Sequence, residues 1–393
     1  MTNEQILTQF DSWLDNESPH AALTFRAWLT PVEGRDAVIF PPTYAPPRNR
    51  PKEDWPGYNI DGTEGTSVCQ IDSVGSQANR MEPMFKRAEY AQLVPQITIS
   101  AGQRSPINLL DAGHRAADAI VRFGSLDGAF WAAFNALKLQ GNAEPLARLA
   151  PTSLIFGVWD SRATQVKVPR IVRSVIRAYH VKPLHRSAQY STIAGEILGG
   201  GEAPVKTEGK ESELGLAHVP AAYTHGGVQV FGEIRREAAV NLVALRHLRA
   251  DGEDDDATRK LRRYILGLAL VAFTAPQEIA LREGCELVPD PEKPAIWTTV
   301  KNDGMREPFA ITHDEALPYA KAAAASFRVA QAQAGEFSVE IANQLLQLPE
   351  KDRKAVLRAG PVTPDAIAKA KKKKPSKKVQ EETTADNPPP AES

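Results

Sequence analysis

Between residues 151 and 190, seven basic side chains (Arg162, Lys167, Arg170, Arg173, Arg177, Lys182 and Arg186) stand against one acid, Asp160. His180 and His185 add further donors. Guanidinium forks and ammonium groups suit phosphate oxygens, so such a block points to a polyanion surface. Pro169 fits the first position of a helix. The residue pattern after it predicts a helix over 169–179. Arg170, Arg173 and Arg177 would share one face, and Ile171, Val172, Val175, Ile176 and Tyr179 the opposite one. No acid within the stretch sits three or four residues from these arginines. The plainer alternative is a solvated face neutralised by acids from elsewhere in the fold.

The rest of the chain must offset this block, because 47 basic and 48 acidic residues leave a net charge of −1 over 393 residues. With 42% hydrophobic residues, the composition is that of a soluble globular protein rather than a disordered one. Two cysteines, Cys69 and Cys285, cannot make a disulfide framework or a four-thiolate zinc site, and are expected to be reduced and buried. The acidic, amphipathic start MTNEQILTQFDSWLDNE is unlike a secretory signal. The longest apolar run, Ile265–Ala275, falls well short of the roughly 20 residues of a membrane span. A cytoplasmic protein without membrane contact is the expectation.

The elements expected to position the basic block begin with an amphipathic helix at 3–15 and a Pro-rich loop at 41–66. A strand at 97–100 precedes helices at 108–123 and 126–140, and SLIFGVWD (153–160) reads as a short apolar strand. Arg162 and Lys167 then fall in a strand-to-helix turn. Residues 191–217, rich in glycine, read as a flexible excursion, and 218–237 as one or two strands joined at His225–Gly227. Helices are expected at 237–250 and 257–275, and a strand pair near 286–301. Thr312 and Glu315 form a capping box for an Ala-rich helix. The lysine-rich segment 369–378 and the remaining residues to 393 read as a solvated tail.

Familiar catalytic signatures do not occur. There is no phosphate-binding GxxxxGK[ST] loop, no GxGxxG, no GxSxG, and no His or Cys spacing that suggests a metal site. No cofactor is expected. Asp111, Asp118 and Asp160 are isolated acids of a kind any chain this size contains.

Several stretches together resemble a known family: SVGSQANRMEP (73–83), LLDAGHRAADAIVRFG (109–124), the long block 149–190, HVPAAYTHGGV (218–228), GEIRREAAVNLVALR (232–246) and 264–288. They are similar to the backbone subunit of type I-G CRISPR effector complexes (formerly I-U), a member of the RAMP superfamily. The similarity covers about 70–290. It implies an α+β fold, a modified RRM-like (ferredoxin-like) palm with inserted finger and thumb elements and a helix-rich periphery. The expected organisation is an N-terminal helix and Pro-rich loop (1–70) packed on a RAMP core (71–360), with 191–217 as a candidate thumb and a disordered tail (361–393) read from composition alone. The implied partners are CRISPR guide RNA, further copies in a helical filament, a large subunit, a repeat-end-binding subunit and target DNA. The implied role is non-catalytic, with the phosphate backbone gripped and the bases left to pair. Secondary contact candidates are His114, Arg115, Gln77, Asn79, Arg80, Arg235 and Arg236. Turn formation or capping is the alternative for Gln77 and Asn79, and a satisfied core position for His114. Two other functions stay open: an RNA-cleaving relative using Asp160 or Asp72, and a general RNA-binding protein outside CRISPR defence.

Overall fold

In a computed structural model, the structure describes residues 2–46, 48, 55, 57–63, 65–194, 204–206, 208–252, 255–277 and 279–372. Strands β1 (His20–Pro31), β2 (Val38–Ile39), β3 (Ile60–Asp61) and β4 (Val68–Asp72) precede a helix at Val74–Met81, and β5 (Ile97–Ser100) and β6 (Ile107–Asn108) come after it. The middle of the chain supplies β7 (Val158–Trp159), β8 (Lys167–Val168), β9 (Val172–Tyr179), β10 (Val181–Tyr190), β11 (Val219–Val230) and β12 (Ile234–Asn241). The last third adds β13 (Ile279–Ala280), β14 (Glu286–Pro289), β15 (Ile296–Lys301), β16 (Arg306–Pro308) and β17 (Gln333–Glu336).

The main sheet runs β13-β14-β1-β12-β9-β4-β3, with β15 and β16 attached beyond β1. Its described pairings are antiparallel. β1 is central: one side pairs with β12, while the other is shared between β15 (20–26) and β14 (29–31). Its alternation of Leu23, Ala27 and Leu29 inward with Thr24 and Arg26 outward is the period of a half-buried strand. The N-terminal 70 residues therefore supply a central strand of the main sheet.

The inner face of the sheet, carrying Leu23, Val172, Ile176, Ala238 and Val240, is sealed by the core. Phe25, Phe273 and Trp297 pack edge to face or tilted within 5.7 Å of one another. Much of the helix Asp255–Thr274 is buried, and it crosses the helix His313–Phe327 at Gly267. A Cβ on Gly267 would lie 2.8 Å from the Ala320 Cα, so only glycine allows this approach. The expected Thr312–Glu315 capping box closes the start of the second helix. Among the described residues, no helix is long and apolar enough to cross a membrane.

Several local expectations are corrected. Residues 172–179 form strand β9 rather than a helix, paired with β12 on one side and β4 on the other. Val172, Val175, Ile176 and Tyr179 favour a pleated surface, and two neighbouring strands decide the matter. Of the predicted strand at 153–160 only Val158–Trp159 (β7) is strand; 153–156 end a helix, Pro151–Phe156, started by its proline and ended at Gly157 with φ +78°. The helix expected at 108–123 is broken into short turns around Arg115, whose φ is +52°. β12 continues to Asn241, whose side chain caps a helix of only five residues, Leu242–Arg246. The excursion 191–217 joins the antiparallel pair β10–β11 and includes a short helix, Lys210–Glu213; residues 195–203 and 207 lie outside the described residues. Pro364–Lys372 is a helix with Ile367 buried, so the start of the expected tail is ordered; 373–393 lie outside the described residues.

Candidate nucleic-acid interface

The outer face of the main sheet carries the candidate site. Successive residues of a strand point to opposite faces, so Arg173, Val175, Arg177 and Tyr179 of β9 share one. Across the ladder, β12 places Ala239 opposite Arg173, Glu237 opposite Val175 and Arg235 opposite Arg177. β1 continues the row, with Thr24 opposite Ala239 and Arg26 opposite Glu237. Ile296 and Thr298 of β15 lie opposite Arg26 and Thr24. An open groove of about 550 Å³ results, lined among others by Arg26, Arg173, Arg177, Arg306 and Glu237. Four arginines meet one carboxylate there.

Glu237 organises the groove. Its carboxylate lies 3.3 Å from Arg26 and 3.6 Å from Arg177 and accepts the Tyr179 hydroxyl at 2.9 Å. These part-exposed pairs contribute little stability, yet they hold two guanidinium heads over the sheet. Arg173 and Arg170 are exposed and have no ion-pair partner among the described residues. Arg235 lies on the same face, its guanidinium 3.8 Å from the centre of the Tyr179 ring and 3.7 Å from Glu233.

Apart from Arg236, which lies on the inner face, the predicted residues separate into four places. Arg173, Arg177 and Arg235 meet on the outer face. Arg170 precedes β9 and lies beside Gly157, close to the β7–β8 hairpin that carries Lys167 and Arg162. Lys182 and Arg186 are exposed on the β10–β11 pair. Gln77, Asn79, Arg80, His114 and Arg115 gather around the helix Val74–Met81. The helical stripe of Arg170, Arg173 and Arg177 does not exist: Arg173 and Arg177 stay together only because a spacing of four keeps one face in a strand as well.

Three candidates are buried and are withdrawn as direct contacts. Gln77 donates to Asp72 at 2.6 Å and accepts from Ser174 at 2.9 Å. Arg236 donates to Ser174 at 3.0 Å on the inner face, and burial lowers its pKa to about 10. Arg115 lies 2.6 Å from Glu82 and donates to Asn79 at 3.0 Å. Burial pushes the Glu82 carboxyl up to about 7 despite the neighbouring cation. Arg80 is exposed but paired with Asp72 at 3.0 Å, and the exposed His114 lies 3.6 Å from Asp118.

The two acids considered for RNA cleavage are both engaged. Asp160 is buried, faces Arg122 at 3.0 Å and accepts from the Thr164 amide and hydroxyl. Asp72 is buried between Gln77 and Arg80, and desolvation raises its pKa. No group of three potential metal ligands occurs among the described residues. Sequence reasoning missed Arg26 and Arg306, which stand alone in their segments and join the groove only through the pairing of β1, β15 and β16.

Residues 23–183, about two fifths of the chain, match the family model described as CRISPR-associated protein GSU0053. No curated protein sequence matches the chain. Among solved structures, a chain of a CRISPR RNA-guided surveillance complex in a pre-nicking state is similar at 14% identity and a TM-score of 0.33, covering 74% of this chain and 78% of that one. The crystal structure of Methanopyrus kandleri Csm3 is similar at 10% identity and a TM-score of 0.23, covering 72% and 78%. Through strands β1 to β9, which build much of the arginine-lined face, the chain is thus similar to a CRISPR-associated family.

Proposed function

We propose that this protein is a non-catalytic backbone subunit of a type I-G CRISPR effector complex, with an RRM-like RAMP palm. Copies of it assemble along one guide RNA, hold its phosphates, and leave its bases to pair with target DNA. Other subunits of the complex cap and complete the filament. The single observation that carries this reading is the outer sheet face, where Arg26, Arg173, Arg177 and Arg306 line one groove with a single carboxylate. A subunit repeated along an arbitrary guide must bind backbone without reading bases, and a cationic sheet surface does that. The match of residues 23–183 to a CRISPR-associated family supports it.

Co-expression with and without a repeat–spacer transcript tests the proposal. Purified particles should contain protected RNA of one guide-like length and appear as curved filaments. A heterogeneous mixture of cellular RNA would identify a general RNA-binding protein instead. Adding complementary RNA and divalent metal to the particle should give no periodic cuts.

A further inference from the structure

We propose that the β7–β8 hairpin is a second nucleic-acid contact, where Trp159 stacks against an unpaired base of the strand whose phosphates the sheet face holds. This inference rests on the proposed RNA-binding function and adds a base-stacking site to it. Trp159 is 60% exposed, whereas the other five tryptophans are buried or part-buried. It stands directly across the hairpin from Lys167, whose ammonium lies 5.8 Å from the ring centroid.

The surroundings favour a nucleic acid over an apolar protein partner. Lys167 at the indole, Arg162 in the hairpin loop and Arg170 beside Gly157 are exposed, with no ion-pair partner among the described residues. The hairpin's one acid, Asp160, points inward. There Arg122 neutralises it and the Ala163 and Thr164 amides bind it. The same carboxylate closes the 160–166 loop, and the Lys138 ammonium donates to the Thr164 carbonyl at 2.7 Å. An exposed aromatic face on a braced turn, with a lysine against it and two exposed arginines nearby in the chain, suits base stacking with phosphate neutralisation, independent of base identity. Lys167, Arg170 and Arg173 lie at steps of three positions along the chain, so each step spans at most about 11 Å between Cα atoms. The hairpin therefore adjoins the arginine groove.

The test compares a single-stranded RNA with an abasic oligonucleotide of equal length. Both are measured on wild type, Trp159→Ala and Trp159→Phe, together with the quenching of Trp159 fluorescence. Trp159→Ala should weaken RNA binding about 5- to 100-fold. Trp159→Phe should restore most of the loss, and binding of the abasic oligonucleotide should be the same in all three. RNA should quench a fluorescence component that the Phe variant lacks. Equal RNA affinity in wild type and Trp159→Ala, while arginine variants of the sheet still weaken binding, would overturn stacking and leave the proposed function intact. A change in self-association without a change in RNA affinity would place the indole against protein and overturn it too. Absence of RNA binding by wild type would overturn both readings.

Discussion

Replacing Arg26, Arg173, Arg177 and Arg306 together by alanine should flatten the dependence of log K on log salt for single-stranded RNA by about 3, at roughly 0.7 for each phosphate no longer neutralised. The side chains lie at the sheet surface, so the variant should keep its fold, which circular dichroism would verify. A folded variant with an unchanged slope would remove the groove from the binding surface. Glu237→Gln supplies the opposite sign: it removes the groove's carboxylate and should tighten binding at low salt. It also frees Arg26 and Arg177 from their ion pairs. Lys182→Ala and Arg186→Ala, on the β10–β11 pair, test whether the RNA path extends beyond the sheet.

Glu82→Gln, which keeps the shape of the protonated acid but cannot ionise, should remove much of a pH dependence that the buried Glu82–Arg115 pair gives to stability. Native Glu82 titrates near 7, well above the 4.5 of an unperturbed glutamate. Between those values the folded protein keeps a proton that the unfolded chain has released. Stability therefore falls as pH rises through the window, by up to about 3 kcal/mol from this residue. Asp127, raised to about 6 by burial, acts in the same direction. Urea melts at pH 5 and pH 8 should show the wild type more stable at the lower pH, with that difference reduced in Glu82→Gln. An equal pH difference in the variant would assign the effect to other groups.

The parts of the molecule legible in the sequence are those written in local chemistry. The capping box at Thr312 and the helices near 126–140 and 257–275 arise from short-range pattern. The basic block is legible as composition, but its geometry is not. Arg173 and Arg177 sit four apart, a spacing that holds them together in either periodicity, and the run Val172–Tyr179 carries both patterns. Only β4 and β12, distant in sequence, select the strand. Burial separates the secondary candidates for the same reason. Arg235 and Arg236 are neighbours on one strand, so the pleat sends one to the arginine face and the other under it. The lone Arg26 and Arg306 carry no local signal at all.

β9 passes into β10 through a single residue, His180, with φ +54°, and β11 returns into β12 through residues 231–233. The His180 amide donates to the Ser67 carbonyl, and the Phe231 amide to the His180 carbonyl, pinning this corner from both sides. The projecting arm and the gripping surface are thus one two-stranded ribbon bent once, with no linker between them. Lengthening or trimming its far end changes reach without changing which residues face each other in the grip. Related chains are free to vary the arm's span while the pairing of β9 with β12 stays the same.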